Sequence, residues 1–304
     1  MRRTIGRGVV VGRVAISCPT QPAKPLPEES SVSQSPSVNQ TGRPGSGIDT
    51  SVAHNARIWD YWLGGKDNYV IDREVGKRIR EMVPHIDAVA RADRAFLARA
   101  GRFLTGEAGI RQFLDIGTGL PTANNTHEVA QSVAPESRIV YVDNDPLVLV
   151  HARALLSSAP EGATDYIEAD VRDPDAILTR AAATLDFDRP IAIMLLGVLN
   201  FVQDTEQVQA IVDRLLDAVP AGSYLALTHP TIELGGEGNI EAMAYYNQHA
   251  TPKICARSGE EIARLVRRLD LVEPGLVSCA VWRADADGAL PAQVPQYGVV
   301  GRKP

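Results

Sequence analysis

The apolar positions of this chain change their period near residue 109. Before that point they recur at intervals of three and four. Ile58, Trp59, Trp62 and Leu63 form the first such stripe, which Gly64-Gly65 closes, so a helix is expected from near Ser51. A second helix is expected over Asp72–Met82, ended by Pro84. A third is expected over Ile86–Leu104, with Val89, Phe96, Leu97 and Phe103 on its apolar side.

After Gly109 short apolar runs alternate with helical ones. Strands are expected at Gln112–Ile116, Arg138–Val142, Asp165–Ala169, Ile191–Leu196 and Ser223–Thr228. The helices between them fit Thr122–Ser132, Pro146–Ser158, Asp173–Thr184 and Thr205–Val219. Such alternation means βαβ units with right-handed crossovers and a parallel sheet. A helical stretch follows, about Gly238–Leu269. Val272–Arg283 and Gln296–Gly301 then offer an antiparallel β-hairpin at the sheet edge. The fold class expected is α/β, a doubly wound Rossmann-like sheet with an N-terminal helical cap over residues 49–108 and a cofactor-binding domain over 109–304.

Candidate chemistry gathers at the carboxyl ends of the expected strands. Phe113-Leu114-Asp115-Ile116-Gly117-Thr118-Gly119 runs an apolar strand into a G-x-G turn before a helix. Glycines there let the backbone pass close to a ligand. A dinucleotide site would put a third glycine at Thr122, whereas Asp115 holds the acidic position of the methyltransferase pattern. That pattern prefers glycine where this chain has Pro121. A tight strand-to-helix turn without a ligand is the plain alternative. Asp143, ending the second strand, can accept bonds from both hydroxyls of a ribose. Asp170, after the third strand, can accept from an adenine amino group, with Val171 beside the ring. Asp145 and Asp173, each followed by proline, read as helix caps. Asp115, Gly117, Thr118, Gly119, Asp143, Asn144, Asp170, Val171 and Leu196 are therefore the expected cofactor contacts. The cofactor they suggest is S-adenosylmethionine, because a sheet closed by a final hairpin is the usual shape of class I methyltransferases.

Composition narrows the partners. Apolar residues make up 44% and charged residues 22%, which allows a sizeable core. The net charge of -6 and the lack of a basic stripe speak against a nucleic-acid partner. No apolar stretch approaches the ~18 residues of a membrane span. Cys18, Cys255 and Cys279 have no metal-ligand spacing and read as free thiols in a reducing, cytoplasmic setting. Residues 1–48 are rich in Pro, Ser, Gln and Gly and are expected to be a disordered tail. Arg2-Arg3 and the patch Val9–Ile16 faintly imitate a signal peptide, but Arg13 interrupts it and no cleavage site follows.

Several segments together resemble one family of S-adenosyl methyltransferases long catalogued as a domain of unknown function. They are Ala56-Arg57-Ile58-Trp59-Asp60-Tyr61-Trp62-Leu63-Gly64-Gly65-Lys66-Asp67-Asn68-Tyr69, Arg94-Ala95-Phe96-Leu97, and Gln112 through Thr122. Tyr141–Pro146, Ala169–Pro174 and the closing Tyr297–Pro304 also match. The resemblance spans roughly residues 50–304. It implies the fold and the cofactor but no acceptor, and it makes Pro121 the expected residue. One departure is Asn200, where the family commonly has His; an amide does not titrate.

Methyl transfer needs positioning above all, and a hydroxyl acceptor would also need a base. His229 and Asn200, after the fifth and fourth strands, are weak catalytic candidates, His229 being better suited to capping the strand end or bonding backbone. Lys66, Asp67, Asn68 and Tyr69 are candidates for a lid, or for a plain solvated turn. Trp59 and Trp62 read as core anchors, and Tyr245, Tyr246 and His249 as pocket candidates. A small-molecule acceptor is expected. A protein or RNA acceptor, or a non-catalytic nucleotide-binding role, is the alternative. No metal site and no oligomeric state are legible.

Overall fold

The computed structural model describes residues 49–155, 158–284 and 291–304. The expected tail, residues 1–48, lies outside the described residues, as do Cys18 and Leu156-Ser157 of the helix expected to reach Ser158. The described part belongs to one compact unit.

The chain enters through a short strand β1 (Ala53–His54) and helices α1 (Asn55–Trp62), α2 (Val70–Met82) and α3 (Ile86–Arg102). α1 and α2 cross closely at Gly76, where any Cβ would stand 2.7 Å from the Tyr61 ring. The Trp62 indole N–H donates to the Gly76 carbonyl at 3.1 Å. The start of α1 is tied to α2 by a buried ion pair, Arg57 Nε to Asp72 Oδ2 at 2.9 Å. Asp72 also accepts from the backbone N–H of Tyr69, at the start of its own helix, at 2.8 Å. It satisfies a helix-end donor that would otherwise have no partner. α3 continues into one π-turn, Phe103–Glu107.

The sheet begins with β2 (Gln112–Ile116), followed by α4 (Thr126–Val133), β3 (Arg138–Asp143), α5 (Pro146–Leu155), β4 (Ala163–Glu168), α6 (Pro174–Ala181) and β5 (Ala192–Leu196). A 3₁₀ turn (Leu199–Phe201), α7 (Thr205–Asp217) and β6 (Tyr224–Pro230) follow. These five strands match the expected ones to within two residues at either end. β2 is buried along its whole length and β5 along all but its last residue, as parallel strands covered on both faces must be. α4 starts four residues later than expected, because Asn125 stands at its N-cap and its backbone N–H donates to Glu128 at 2.7 Å.

The stretch expected as one helix over 238–269 is two, α8 (Gly236–His249) and α9 (Gly259–Leu265). Between them lies β7 (Ala250–Thr251), paired in parallel with β1. Pro252 follows at once and cannot donate to a helical ladder. Of the strand expected over 272–283 only β9 (Val277–Ser278) forms; β8 (Asp270–Leu271) precedes that span, and Pro274-Gly275 turns the chain between them, Gly275 at φ +82°. β10 (Gln296–Arg302) closes the sheet.

The strand order is β4-β3-β2-β5-β6-β10-β8, with β9 also on β10. β2 through β6 are parallel and β10 runs antiparallel to β6. This is the doubly wound class I methyltransferase sheet with its reversed closing strand. The order switches at β2, whose neighbours β3 and β5 come from opposite directions, and such a crevice is where ligands bind. α1, α2 and α8 share a small core of their own around Ile58, Trp62, Val75, Ile79 and Tyr246.

Candidate functional site

One cavity, of about 270 Å³, opens over the carboxyl ends of the strands. Its floor is the turn after β2. There Gly117 has φ +78° and Gly119 φ +68°, the left-handed region that favours glycine. The two differ in surroundings. A Cβ on Gly117 would stand 2.4 Å from the Val198 side chain, whereas a Cβ on Gly119 would meet nothing within 4 Å. Gly117 is therefore a packing glycine, and Gly119 leaves open space in the crevice.

The turn is bound to the acids of neighbouring strands. Gly119 N–H donates to Asp143 Oδ2 at 2.8 Å, and Asp145 N–H to Asp143 Oδ1 at 2.9 Å. Burial raises the Asp143 carboxyl above its usual range, against the pull of these two donors. Asp145 caps α5 through Leu147 N–H at 2.8 Å. Its other oxygen lies 3.0 Å from His54 Nδ1, which joins the N-terminal segment to the strand end. Asp170 accepts from Asn144 Nδ2 at 3.0 Å and from Arg172 Nη1 at 2.8 Å. Arg172 in turn donates to the Phe201 carbonyl.

Asp115 lies below the turn and accepts from the Thr126 hydroxyl at 2.5 Å. Burial pushes its carboxyl up to about 6, against the Thr126 bond and the charge of Arg94. Arg94 reaches over from α3. Its Nη2 donates to the Ala123 and Asn124 carbonyls at 3.1 and 3.2 Å, while its buried Nε has no partner. Arg94 lines the cavity.

All nine expected cofactor contacts, Asp115, Gly117, Thr118, Gly119, Asp143, Asn144, Asp170, Val171 and Leu196, line this one cavity, and so does Asn200. Asn200 is buried, with its side-chain oxygen unpartnered. Tyr246, an expected pocket residue, lines it too, whereas His229, the 66–69 segment, Tyr245 and His249 do not. His229 is fully buried and absent from the lining. Its Nε2 accepts from Arg257 Nη1 at 2.8 Å, which leaves the proton on Nδ1 to be donated to the Pro230 carbonyl at 2.9 Å. Burial lowers its pKa to about 4. The ring is neutral and occupied on both sides, the backbone-bonding alternative rather than a base.

Lys66, Asp67, Asn68 and Tyr69 do not line the cavity either. Asp67 and Asn68 instead hold Asp60, which does line it. Asp60 Oδ2 accepts from the Asp67 N–H at 2.9 Å and from Asn68 Nδ2 at 2.7 Å. Gly65 is required beneath it, because a Cβ there would fall 1.9 Å from Asp60 Oδ1. Tyr245 stacks on His249, 4.1 Å between centroids, outside the cavity, while its neighbour Tyr246 lines it.

Sequence reasoning missed Asp60, Asp93 and Arg94 as cavity residues. Asp93 had a legible signal, since it falls on the same α3 stripe as Val89, Phe96 and Leu97, where an apolar residue belongs. Among the described residues no cluster of His, Cys, Asp and Glu could hold a metal ion, and no helix is long and apolar enough to cross a membrane.

The sequence profile of a family described as S-adenosyl methyltransferase matches residues 41–304. Two crystal structures resemble the chain over nearly all of their own length. A DUF574 family protein from Streptomyces avermitilis is 46% identical, with a TM-score of 0.80, covering 84% of this chain and 99% of that one. A protein from Thermobifida fusca that carries a provisional methyltransferase name is 42% identical, with a TM-score of 0.76, covering 86% of this chain and 97% of that one. No curated protein sequence matches.

Proposed function

The chain belongs to the S-adenosyl methyltransferase family, and on that premise we propose that it methylates a small molecule bound beneath its N-terminal helices. It is an S-adenosylmethionine-dependent enzyme with a class I sheet. The observation that carries the finer reading is the mixed lining of a single cavity. Strand-end acids and glycines form one side, and Trp59, Trp62, Val83, Tyr246 and Ile254 from the N-terminal helices and the α8 region form the other. A roof of helices suits a molecule that can be enclosed; a polymer needs an open groove.

The residues present fit the cofactor. The open space at Gly119 and the unpartnered Arg94 Nε are features a bound ligand would fill. Asp143 would hold the ribose hydroxyls, Asp170 and Val171 the adenine, and Arg94 the carboxylate of the methionine part, with Asp115 and the Gly117–Gly119 turn beneath. S-Adenosylmethionine supplies an electrophilic methyl carbon on a cationic sulfur. The chain's own work is then to position two reactants and exclude water.

The test is an incubation with tritium-labelled S-adenosylmethionine and a cell extract. Label transferred to the dialysable, organic-extractable fraction supports this reading. Label transferred to protein or RNA overturns it.

A further inference from the structure

The cavity divides by strand. The expected cofactor acids stand at β3 and β4, on one side of β2. On the other side, over β5, β6 and β10, a carboxylate stands that the cofactor reading leaves unused. Asp93 is 7% exposed and lines the cavity. Gln296 Nε2, at the first residue of β10, donates to its Oδ1 at 2.5 Å, and the Thr228 hydroxyl of β6 is hydrogen-bonded to it as well. Thr228 pairs in register with Leu196 at the end of β5, which itself lines the cavity. Apolar residues of the lining lie near on the chain: Val89 and Leu97 stand one helical turn to either side of Asp93 on α3, and Trp59, Ile86 and Leu196 pack in the cluster of Val89.

Both partners of Asp93 are neutral donors, and the charge of Arg94 acts on it only through space. A buried carboxylate so held keeps spare acceptor capacity and is costly to leave without a cation or an acidic proton. The other carboxylates of the lining have roles already: Asp60 is bound by the Asp67 N–H and the Asn68 amide, and Asp115, Asp143 and Asp170 belong to the cofactor side.

We propose that Asp93 is the acceptor-binding residue, and that the acceptor is a small, largely apolar molecule presenting one hydroxyl or amine N–H to it. This rests on the small-molecule reading above. Asp93 takes the proton that the acceptor oxygen or nitrogen releases as its lone pair bonds the methyl carbon, the old bonding pair staying with sulfur. Burial raises the Asp93 carboxyl above its usual range, which makes the ionised carboxylate a stronger proton acceptor. Gln296 and Thr228 orient it.

The experiment is calorimetric titration of the full chain, saturated with S-adenosylhomocysteine, with naphthol, naphthylamine and methoxynaphthalene. A hydrogen bond to a charged group is worth about 1.5–3 kcal/mol, so naphthol and naphthylamine are expected to bind at least about tenfold more tightly than methoxynaphthalene. In Asp93→Asn, with S-adenosylhomocysteine affinity retained as proof of folding, the preference is expected to collapse to below about threefold, since the charge that earned it is gone. Equal affinity of all three for the wild type, no binding of naphthol to the cofactor-saturated protein, or a preference that survives Asp93→Asn overturns the proposal. Failure of S-adenosylhomocysteine to bind at all would instead strike the cofactor reading, so the two failures are distinct.

Discussion

The backbone N–H of Gly119 donates to the carboxylate of Asp143 across 2.8 Å, joining the glycine turn after β2 to the acid that ends β3. This bond fixes the turn while keeping open the space that a Gly119 side chain would occupy. Gly117, two residues earlier, has no such space.

The two glycines should therefore fail differently. Both have positive φ, so alanine at either costs about 1–2 kcal/mol of backbone strain. At Gly117 the new Cβ also overpacks against Val198, adding about 1–3 kcal/mol. Gly117→Ala should melt clearly below Gly119→Ala, whereas Gly119→Ala should fold and bind S-adenosylhomocysteine at least about tenfold more weakly, a loss of about 1.4 kcal/mol. Thermal melts and calorimetry on the pair check this, and a reversed melting order would refute the packing argument.

Asp115 costs stability in order to be available. Its folded carboxyl titrates near 6 against an ordinary 3.8. The folded state thus holds its proton more tightly than the unfolded chain does, and stability falls as pH rises between those values. Asp115→Asn should be more stable than the wild type at pH 7, by up to roughly 3 kcal/mol, and equal to it below about pH 4. Melting curves across pH measure this. An Asn variant that is less stable at neutral pH would show that the Thr126 bond outweighs the burial penalty.

His229 behaves in the opposite sense. Its folded pKa is lowered to about 4 from 6.5. As pH falls through that window the unfolded chain takes up a proton that the buried ring refuses, and stability is lost. His229→Gln keeps an acceptor for Arg257 and removes the titration, so its melting temperature should depend less steeply on pH between about 6.5 and 4. Unchanged steepness would mean that the acid lability arises elsewhere.

Asp72 holds the N-terminal helices together through Arg57 and two backbone donors. Asp72→Ala strands a buried guanidinium and should cost about 3–5 kcal/mol. Denaturant unfolding measures it, and a loss below about 1 kcal/mol would mean that water reaches Arg57.

The strands and the strand-end acids were legible because both obey short-range rules. β2 and β3 are short, mainly apolar runs, and Asp115, Asp143 and Asp170 each lie within two residues of a strand's carboxyl end. What was not legible depends on distant segments. Asp93 meets Gln296 across 203 positions, and Asp60 is claimed by a loop that the sequence offers equally as a lid. The motif Gly64-Gly65-Lys66-Asp67-Asn68-Tyr69 was recognisable, yet its work is to hold Asp60 rather than to reach the cavity itself. His229 was plausible at a strand end until Arg257, from a segment with no strong pattern, occupied its free nitrogen. The single helix expected over 238–269 failed for a local reason, the proline at 252, that the apolar period masked.

The most direct test of the cofactor site is calorimetric titration of the wild type and Asp143→Ala with S-adenosylhomocysteine, with folding checked by circular dichroism. Removing the carboxylate takes the acceptor from Gly119 and Asp145 as well as from the ligand. The account predicts one-site binding by the wild type and an affinity at least about a hundredfold lower in the folded variant, near 2.7 kcal/mol. Equal affinity in the two proteins would contradict it and move the cofactor away from the end of β3.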